Sequence, residues 1–224
     1  MTTTGPQEKN DRHQPVTGRT RDLVILLDKA IFKLAKHWLA VANLFWGLYV
    51  GLPLLAPVLM DAGWTFPAKV IYTLYRPACH QRPERSYFFG GPEIAYTPEE
   101  LEAAGVNLDP LARDIGNEAV GWKVAFCERD VAIYGAILVT GLVYALARRW
   151  LKDWRMPFRY FALFLVPMAI DGLLQLFGLY ESTWLRRTIT GVIFGVGAVF
   201  FAYPYMEEGF ADIRRTLNSK LGLE

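Results

Sequence analysis

Four apolar stretches, each about twenty residues long, restrict the folds open to this chain more than any other feature of its sequence. They occupy residues 39–60, 131–147, 158–176 and 188–205, and the first, second and fourth contain no charged residue. An α-helix needs about twenty mostly apolar residues to cross the hydrocarbon core of a bilayer. The sequence therefore predicts an all-α fold, an integral membrane helical bundle with about four transmembrane helices.

The composition agrees with a membrane protein and argues against a nucleic-acid partner. Hydrophobic residues make up 53% of the 224 residues before glycine is counted, whereas soluble domains average roughly 45–50% with glycine included. The net charge is only +2 at pH 7, and the basic residues are interspersed with acidic ones. No basic surface for nucleic acid is expected, and the lipid bilayer is the expected partner.

Three segments outside the spans have distinct predictions. Residues 1–21 are polar and have little to bury, so a disordered N-terminal tail is expected. Residues 22–38 place leucines and isoleucine on one helical face and lysines toward the other. This pattern is typical of a basic amphipathic helix that lies on an anionic membrane surface, and a helix packed against the bundle is the equal alternative. Residues 64–75 are apolar but too short to cross the membrane.

The distribution of lysine and arginine predicts the orientation in the membrane. Basic residues precede the first span and fill the short connection between the second and third spans, whereas residues 61–130 carry an acidic excess. We therefore expect a multi-pass protein of the inner (cytoplasmic) membrane with both termini in the cytoplasm. Residues 206–224 form a cytoplasmic tail in this prediction, and residues 61–130 face outside.

The outer segment, residues 61–130, contains signals for short helices. Thr97 is followed by Pro98 and Glu100, which is the pattern of a capping box with proline at the first helical position. Gly105 is expected to end that helix. A second short helix is predicted to begin at Asp109-Pro110 and to end at Gly116.

The candidate chemical site consists of Cys79, His80, Cys127 and Asp130, all of which fall on the outer side in this topology. Two thiolates, an imidazole and a carboxylate form a ligand set that zinc accepts, so a zinc-like divalent metal is one expectation. A Cys79–Cys127 disulfide is the competing interpretation, because paired cysteines are common in oxidising compartments. Such a bridge would stabilise the fold by about 4 kcal/mol. Unpaired thiols are the third alternative.

The third span contains the carboxylate of Asp171, which needs a partner or a wet cavity within the bilayer. Gln175 lies one turn later on the same face, and Arg187 and Thr190 belong to the outward half of the fourth span. The sequence predicts an Asp171–Arg187 pair, with Gln175 and Thr190 completing the hydrogen bonds. This network either locks two helices together or forms a polar pocket for a proton, an ion or a lipid head group.

The fourth span also carries Gly191 and Gly195 in a G-x-x-x-G pattern. Small residues at this spacing allow another helix to approach closely. The pattern predicts helix packing and no chemistry of its own.

Four motifs in their order along the chain resemble a known family of small bacterial and archaeal membrane proteins, domain-of-unknown-function family 2085. They are Cys79-His80-Gln81, Cys127-x-Arg129, Asp171-Gly172-x-x-Gln175 and Arg187-x-x-Thr190-Gly191. The resemblance covers about residues 75–205 and implies a polytopic membrane protein without an agreed activity. It also implies a C-x-R-C motif where this chain has Cys127-Glu128-Arg129-Asp130. A carboxylate replaces the second thiol, which removes a dithiol redox pair but keeps a metal ligand.

Three functions are compatible with these features. The preferred one is a membrane protein with an outward-facing metal or disulfide site above the polar intramembrane network. The first alternative is an accessory subunit of a larger respiratory or photosynthetic membrane complex, which would add other membrane protein subunits as partners. The second alternative is a membrane enzyme acting on a lipid-linked substrate through Asp171 or the Cys/His cluster. The sequence does not decide whether the protein is an enzyme.

Overall fold

The computed structural model describes residues 18–151 and 153–221, and α-helices dominate it. The six helices are α1 (Arg19–Asp61), α2 (Thr65–Tyr75), α3 (Pro98–Ala103), α4 (Glu128–Leu151), α5 (Phe158–Leu176) and α6 (Trp184–Leu221). Three short strands, β1 (Phe88–Phe89), β2 (Gly116–Asn117) and β3 (Gly121–Lys123), and one 3-10 turn, Pro83–Arg85, lie between α2 and α4. The predicted all-α membrane bundle is confirmed.

Four helices, α1, α4, α5 and α6, are long and apolar enough to cross a membrane. Side-chain contacts show that α4 and α6 run parallel, because Arg187 meets Glu128 near their first turns and Arg148 meets Glu207 near the opposite end. Helices α1 and α5 run antiparallel to them, as the contacts of Trp38 with Glu207 and of Asp171 with Arg129 show. One end of the bundle therefore carries the α1–α4 and α5–α6 connections, and the other carries the α4–α5 connection.

Helix α1 joins two segments that were predicted to be separate. The amphipathic segment 22–38 and the span 39–60 form one continuous helix of 43 residues. Residues 22–38 contain no glycine or proline, so nothing in the local sequence interrupts the helix. Most of the predicted disordered tail, residues 1–17, lies outside the described residues, and its last residues, from Arg19, already belong to α1.

Helix α6 likewise runs on through Pro204 and past the end of the predicted span 188–205. It continues into the predicted tail 206–224 as far as Leu221. Glu207 and Leu217 in this extension are buried. The short segment 64–75 forms α2, whose buried face, Ala68, Ile71, Tyr72 and Tyr75, packs against the end of α1. It is not among the helices that are long enough to span a membrane.

The outer segment confirms one predicted helix and contradicts the other. Helix α3 begins with the predicted capping box, in which Thr97 accepts from the Glu100 backbone N–H and Glu100 accepts from that of Thr97. The helix predicted between Asp109 and Gly116 is wrong. The side chains of Asp109 and Asp114 accept hydrogen bonds from nearby backbone N–H groups, which favours turns over helix.

The three strands form a small antiparallel sheet in the order β1-β3-β2. The sheet is held to the bundle where the Ala125 backbone N–H donates to the carbonyl of Pro53 in α1. It thus fixes where the chain enters α4, directly after Cys127.

Helix α6 approaches α4 at Gly191 and Gly195. A methyl group built at Gly191 would lie 2.9 Å from Ala132 Cβ, and one at Gly195 would lie 2.5 Å from the Ile133 carbonyl oxygen. Only glycine permits so close an approach of two helices. This contact sets the parallel alignment of α4 and α6 and places their first turns side by side.

Candidate metal centre and its cavity

Cys79, Cys127 and Asp130 converge at the end of the bundle that carries the outer segment. Cys79 follows the turn after α2, Cys127 directly precedes α4, and Asp130 lies in the first turn of α4. Their two sulfur atoms and a carboxylate oxygen all lie within 4.8 Å of one another. Two parts of the outer segment that are far apart in the sequence thus meet at one point.

Local backbone geometry explains why Cys127 points to this centre. The Cys127 carbonyl accepts the first helical hydrogen bond of α4, from Val131, and its sulfur accepts from the Asp130 backbone N–H at 3.4 Å. This is the arrangement of an N-cap residue, with sulfur in place of the usual side-chain oxygen. The Cys127 backbone N–H in turn donates to Cys79 Sγ at 3.2 Å.

The two thiols affect each other's proton affinity in opposite directions. A hydrogen bond from the Cys127 thiol lowers the pKa of Cys79 below its ordinary value, against the opposing effects of burial and Asp130. The same hydrogen bond, together with burial, raises the pKa of Cys127. Cys79 is therefore the sulfur that ionises first, and a thiolate is the form that ligates a metal.

His80 does not join the group, contrary to the prediction. Its side chain is exposed, whereas the neighbouring Cys79 is buried. Cys79 and His80 both line the cavity, but His80 is not in the group of ligand atoms that lie within 4.8 Å of one another. The sequence predicted four ligands, and the structure brings three of them together.

Lys123 lies close enough to Cys79 for the charges of the two groups to interact. Lys123 is buried, and its ammonium group donates to the carbonyl of Gln81 and faces the ring of Tyr72 at 5.7 Å from the centroid. Burial lowers the pKa of Lys123 to about 8. A cation near Cys79 favours the thiolate form of that sulfur.

Two of the four residues predicted for the polar network, Asp171 and Arg187, form ion pairs, but not with each other. Asp171 pairs with Arg129 of α4 and also accepts from Tyr180 and from Ser182 at 2.7 Å. Arg187 pairs with Glu128 at 2.9 Å. The Asp171–Arg187 pair is wrong because the first turn of α4 lies between the two residues and supplies a partner to each of them.

The remaining predicted members behave differently. Thr190 donates to the carbonyl of Arg186 in its own helix, so it does not reach Asp171. Gln175 lines the cavity that contains the two cysteines, and its Nε2 has no hydrogen-bond partner among the described residues.

Besides the partners Glu128 and Arg129, sequence reasoning missed two further arginines and one further carboxylate. Arg82 and Arg85, which follow the Cys79-His80 pair in the sequence, line the same cavity as the cysteines, and their closeness to that pair was the available signal. Glu207, at the other end of the bundle, accepts from Trp38, Arg148 and Arg214. It lies in the predicted tail, where a partner for a buried charge was not expected.

The comparisons with known proteins agree with the resemblance. Residues 119–201 match the model of the DUF2085 family, described as a predicted membrane protein. The uncharacterised protein MJ1492 of Methanocaldococcus jannaschii is 31% identical over 179 residues, which cover 77% of this chain and 94% of the relative. No solved structure matches the chain.

Proposed function

Since this chain belongs to the DUF2085 family of predicted membrane proteins, we propose that it holds a zinc-like divalent metal ion at Cys79, Cys127 and Asp130. The observation that carries this proposal is the convergence of two sulfur atoms and one carboxylate oxygen within 4.8 Å. Two thiolates and a carboxylate suit zinc. Other thiophilic divalent ions share this preference.

Three protein ligands leave one coordination position open. Zinc sites that carry out chemistry have this arrangement, whereas purely structural sites are closed by four protein ligands. The three ligands also line a cavity of about 480 Å³. A water molecule or a ligand group in the cavity would take the fourth position.

We place the centre on the outer side of the membrane. The end of the bundle opposite to it contains the basic last turn of α4, with Arg148 and Arg149, Arg155 of the α4–α5 connection, and the lysine-rich start of α1. Basic connections favour the cytoplasmic side. In intact cells that have been reduced and treated with a chelator, an impermeant maleimide is expected to label the Cys79 and Cys127 pair. Labelling only after lysis would reverse the orientation.

Metal content of the purified chain tests the metal proposal. We expect about one equivalent of zinc per chain in the reduced protein, measured by elemental analysis. The free energy of zinc binding at a structural site is about 10–16 kcal/mol, which four ligands share. Loss of one ligand therefore lowers the zinc affinity on the order of a hundredfold. Cys79→Ser and Cys127→Ser should therefore lose the metal.

His80→Gln is the matched control, because His80 lines the same cavity but lies outside the ligand group. This variant should keep the metal. An intact Cys79–Cys127 crosslink without metal, seen by non-reducing mass spectrometry of protein prepared without oxidant, would replace the metal proposal with the disulfide.

A further inference from the structure

The cavity beside the two cysteines has a strongly basic wall. Its volume is about 480 Å³, within the usual range of ligand pockets. Besides the three candidate metal ligands, its polar lining includes four guanidinium groups, those of Arg82, Arg85, Arg129 and Arg187. Asp130 is the single carboxylate in this lining.

Three of these arginines pair with carboxylates that lie outside the lining of the cavity. Arg82 pairs with Glu84, Arg129 with Asp171, and Arg187 with Glu128. These three acidic partners do not line the cavity. Each of these three arginines therefore has a carboxylate partner outside the cavity.

Arg85 differs from the other three arginines. Among the residues that the structure describes, no carboxylate lies within ion-pair distance of it. Partial burial and the nearby charges of Arg187 and Arg82 lower the pKa of Arg85. Arg82 and Arg187 already have carboxylate partners, so Arg85 is the guanidinium group for which an anion in the cavity would supply the partner.

Several buried donors in this region have no acceptor within the described part of the chain. They are Nε of Arg129, Nε of Arg187 and Nε2 of Gln175. The whole Arg187 residue is only 7% exposed. Buried donors are normally paired, and these three belong to residues that line the cavity.

We propose that this cavity binds a phosphate-type oxyanion, held by Arg85 together with Arg82, Arg129, Arg187 and Gln175. Guanidinium groups match the oxygens of phosphate with paired hydrogen bonds. The same chemistry is found in free phosphate and in the phosphomonoester head group of a membrane lipid. The assignment goes beyond the metal proposal and does not depend on it, because none of its five residues is a candidate metal ligand.

The neighbouring cavity differs from the cysteine cavity in the charge of its lining. That cavity has a similar volume, about 470 Å³, and shares Arg82, Arg85 and Arg187. Its lining also contains five glutamates, Glu84, Glu93, Glu100, Glu128 and Glu181. An anion is therefore favoured on the cysteine side of Arg85 and disfavoured on the other.

The test uses the purified full chain, reduced and stripped of metal with a chelator. Equilibrium dialysis with radiolabelled inorganic phosphate measures the free anion, and native mass spectrometry with phosphatidic acid or diacylglycerol measures the lipid. Arg85→Gln is expected to weaken binding about ten- to hundredfold, the range for losing charge-assisted hydrogen bonds. Gln175→Leu is a second variant that should weaken the same binding without changing a charge.

Arg186→Gln is the matched control. This variant removes the same charge next to Arg187. In the wild type the Arg186 side chain faces the ring of Tyr180 and does not line the cavity. Binding of phosphate supports a soluble ligand, and retention of phosphatidic acid but not of diacylglycerol supports a lipid. Absence of both, equal binding by the wild type and Arg85→Gln, or binding only in the presence of metal would each overturn the assignment.

Discussion

Replacement of Glu207 by alanine is expected to lower the free energy of unfolding by about 3 kcal/mol. Glu207 is buried and accepts from Trp38 at 2.9 Å, from Arg148 at 2.7 and 2.9 Å, and from Arg214 at 3.0 Å. It therefore joins α1, α4 and α6 at one point. Removing it leaves two guanidinium groups and an indole N–H without their common acceptor.

Our estimate lies at the low end for buried ion pairs because the side chains of Arg148 and Arg214 are 35% and 25% exposed. Thermal unfolding in detergent, followed by tryptophan fluorescence, measures the effect as a fall in Tm of about 6–12 °C. Glu208→Ala is the matched control, because Glu208 is half exposed and its ion-pair partner among the described residues is Arg155. If both variants melt alike, Glu207 does not join the helices.

Arg187→Met is expected to cost about 3–5 kcal/mol, because it leaves Glu128 buried without its partner. The pair is more enclosed than the Glu207 cluster, with side-chain exposures of 9% for Arg187 and 3% for Glu128. It also lies where Gly191 brings α6 against α4. Unfolding of this variant is measured in the same way as for Glu207→Ala.

The double variant Arg187→Met with Glu128→Gln separates a lost pair from lost packing. Removal of both charges relieves the unpaired carboxylate, so most of the lost stability should return. Arg186→Gln should change stability by no more than about 0.5 kcal/mol, as surface substitutions usually do. A double variant as unstable as Arg187→Met would assign the effect to side-chain packing.

Local sequence signals predicted the features that depend on neighbouring residues. Hydropathy identified the four spans, because about twenty apolar residues are required in any bundle. The capping box at Thr97 was predicted correctly because both of its hydrogen bonds lie within four residues. The boundaries were less accurate, since α1 and α6 continue through polar sequence beyond the bilayer span.

The ion-pair partners of Asp171 and Arg187 could not be predicted in the same way. Asp171 and Arg187 share a depth in the bundle, but the rotation of α4 places Arg129 and Glu128 between them. That rotation follows from the glycine contacts of α6 with α4, which a single sequence does not reveal. The strands were missed because two or three residues carry no recognisable alternation.

The convergence of Cys79 and Cys127 was predicted from topology alone, since both fall at the same end of the spans. Their spacing and the exclusion of His80 required the backbone geometry around Cys127. The basic wall of the cavity was also hidden, because its arginines come from three separate segments.

X-ray absorption spectroscopy of the zinc-loaded protein tests the central claim most directly. Our account predicts two sulfur neighbours at about 2.3 Å, with oxygen or nitrogen neighbours at about 2.0–2.2 Å, and the loss of one sulfur in Cys127→Ser. A zinc ion surrounded only by oxygen and nitrogen, in protein whose two thiols are free, would contradict the account.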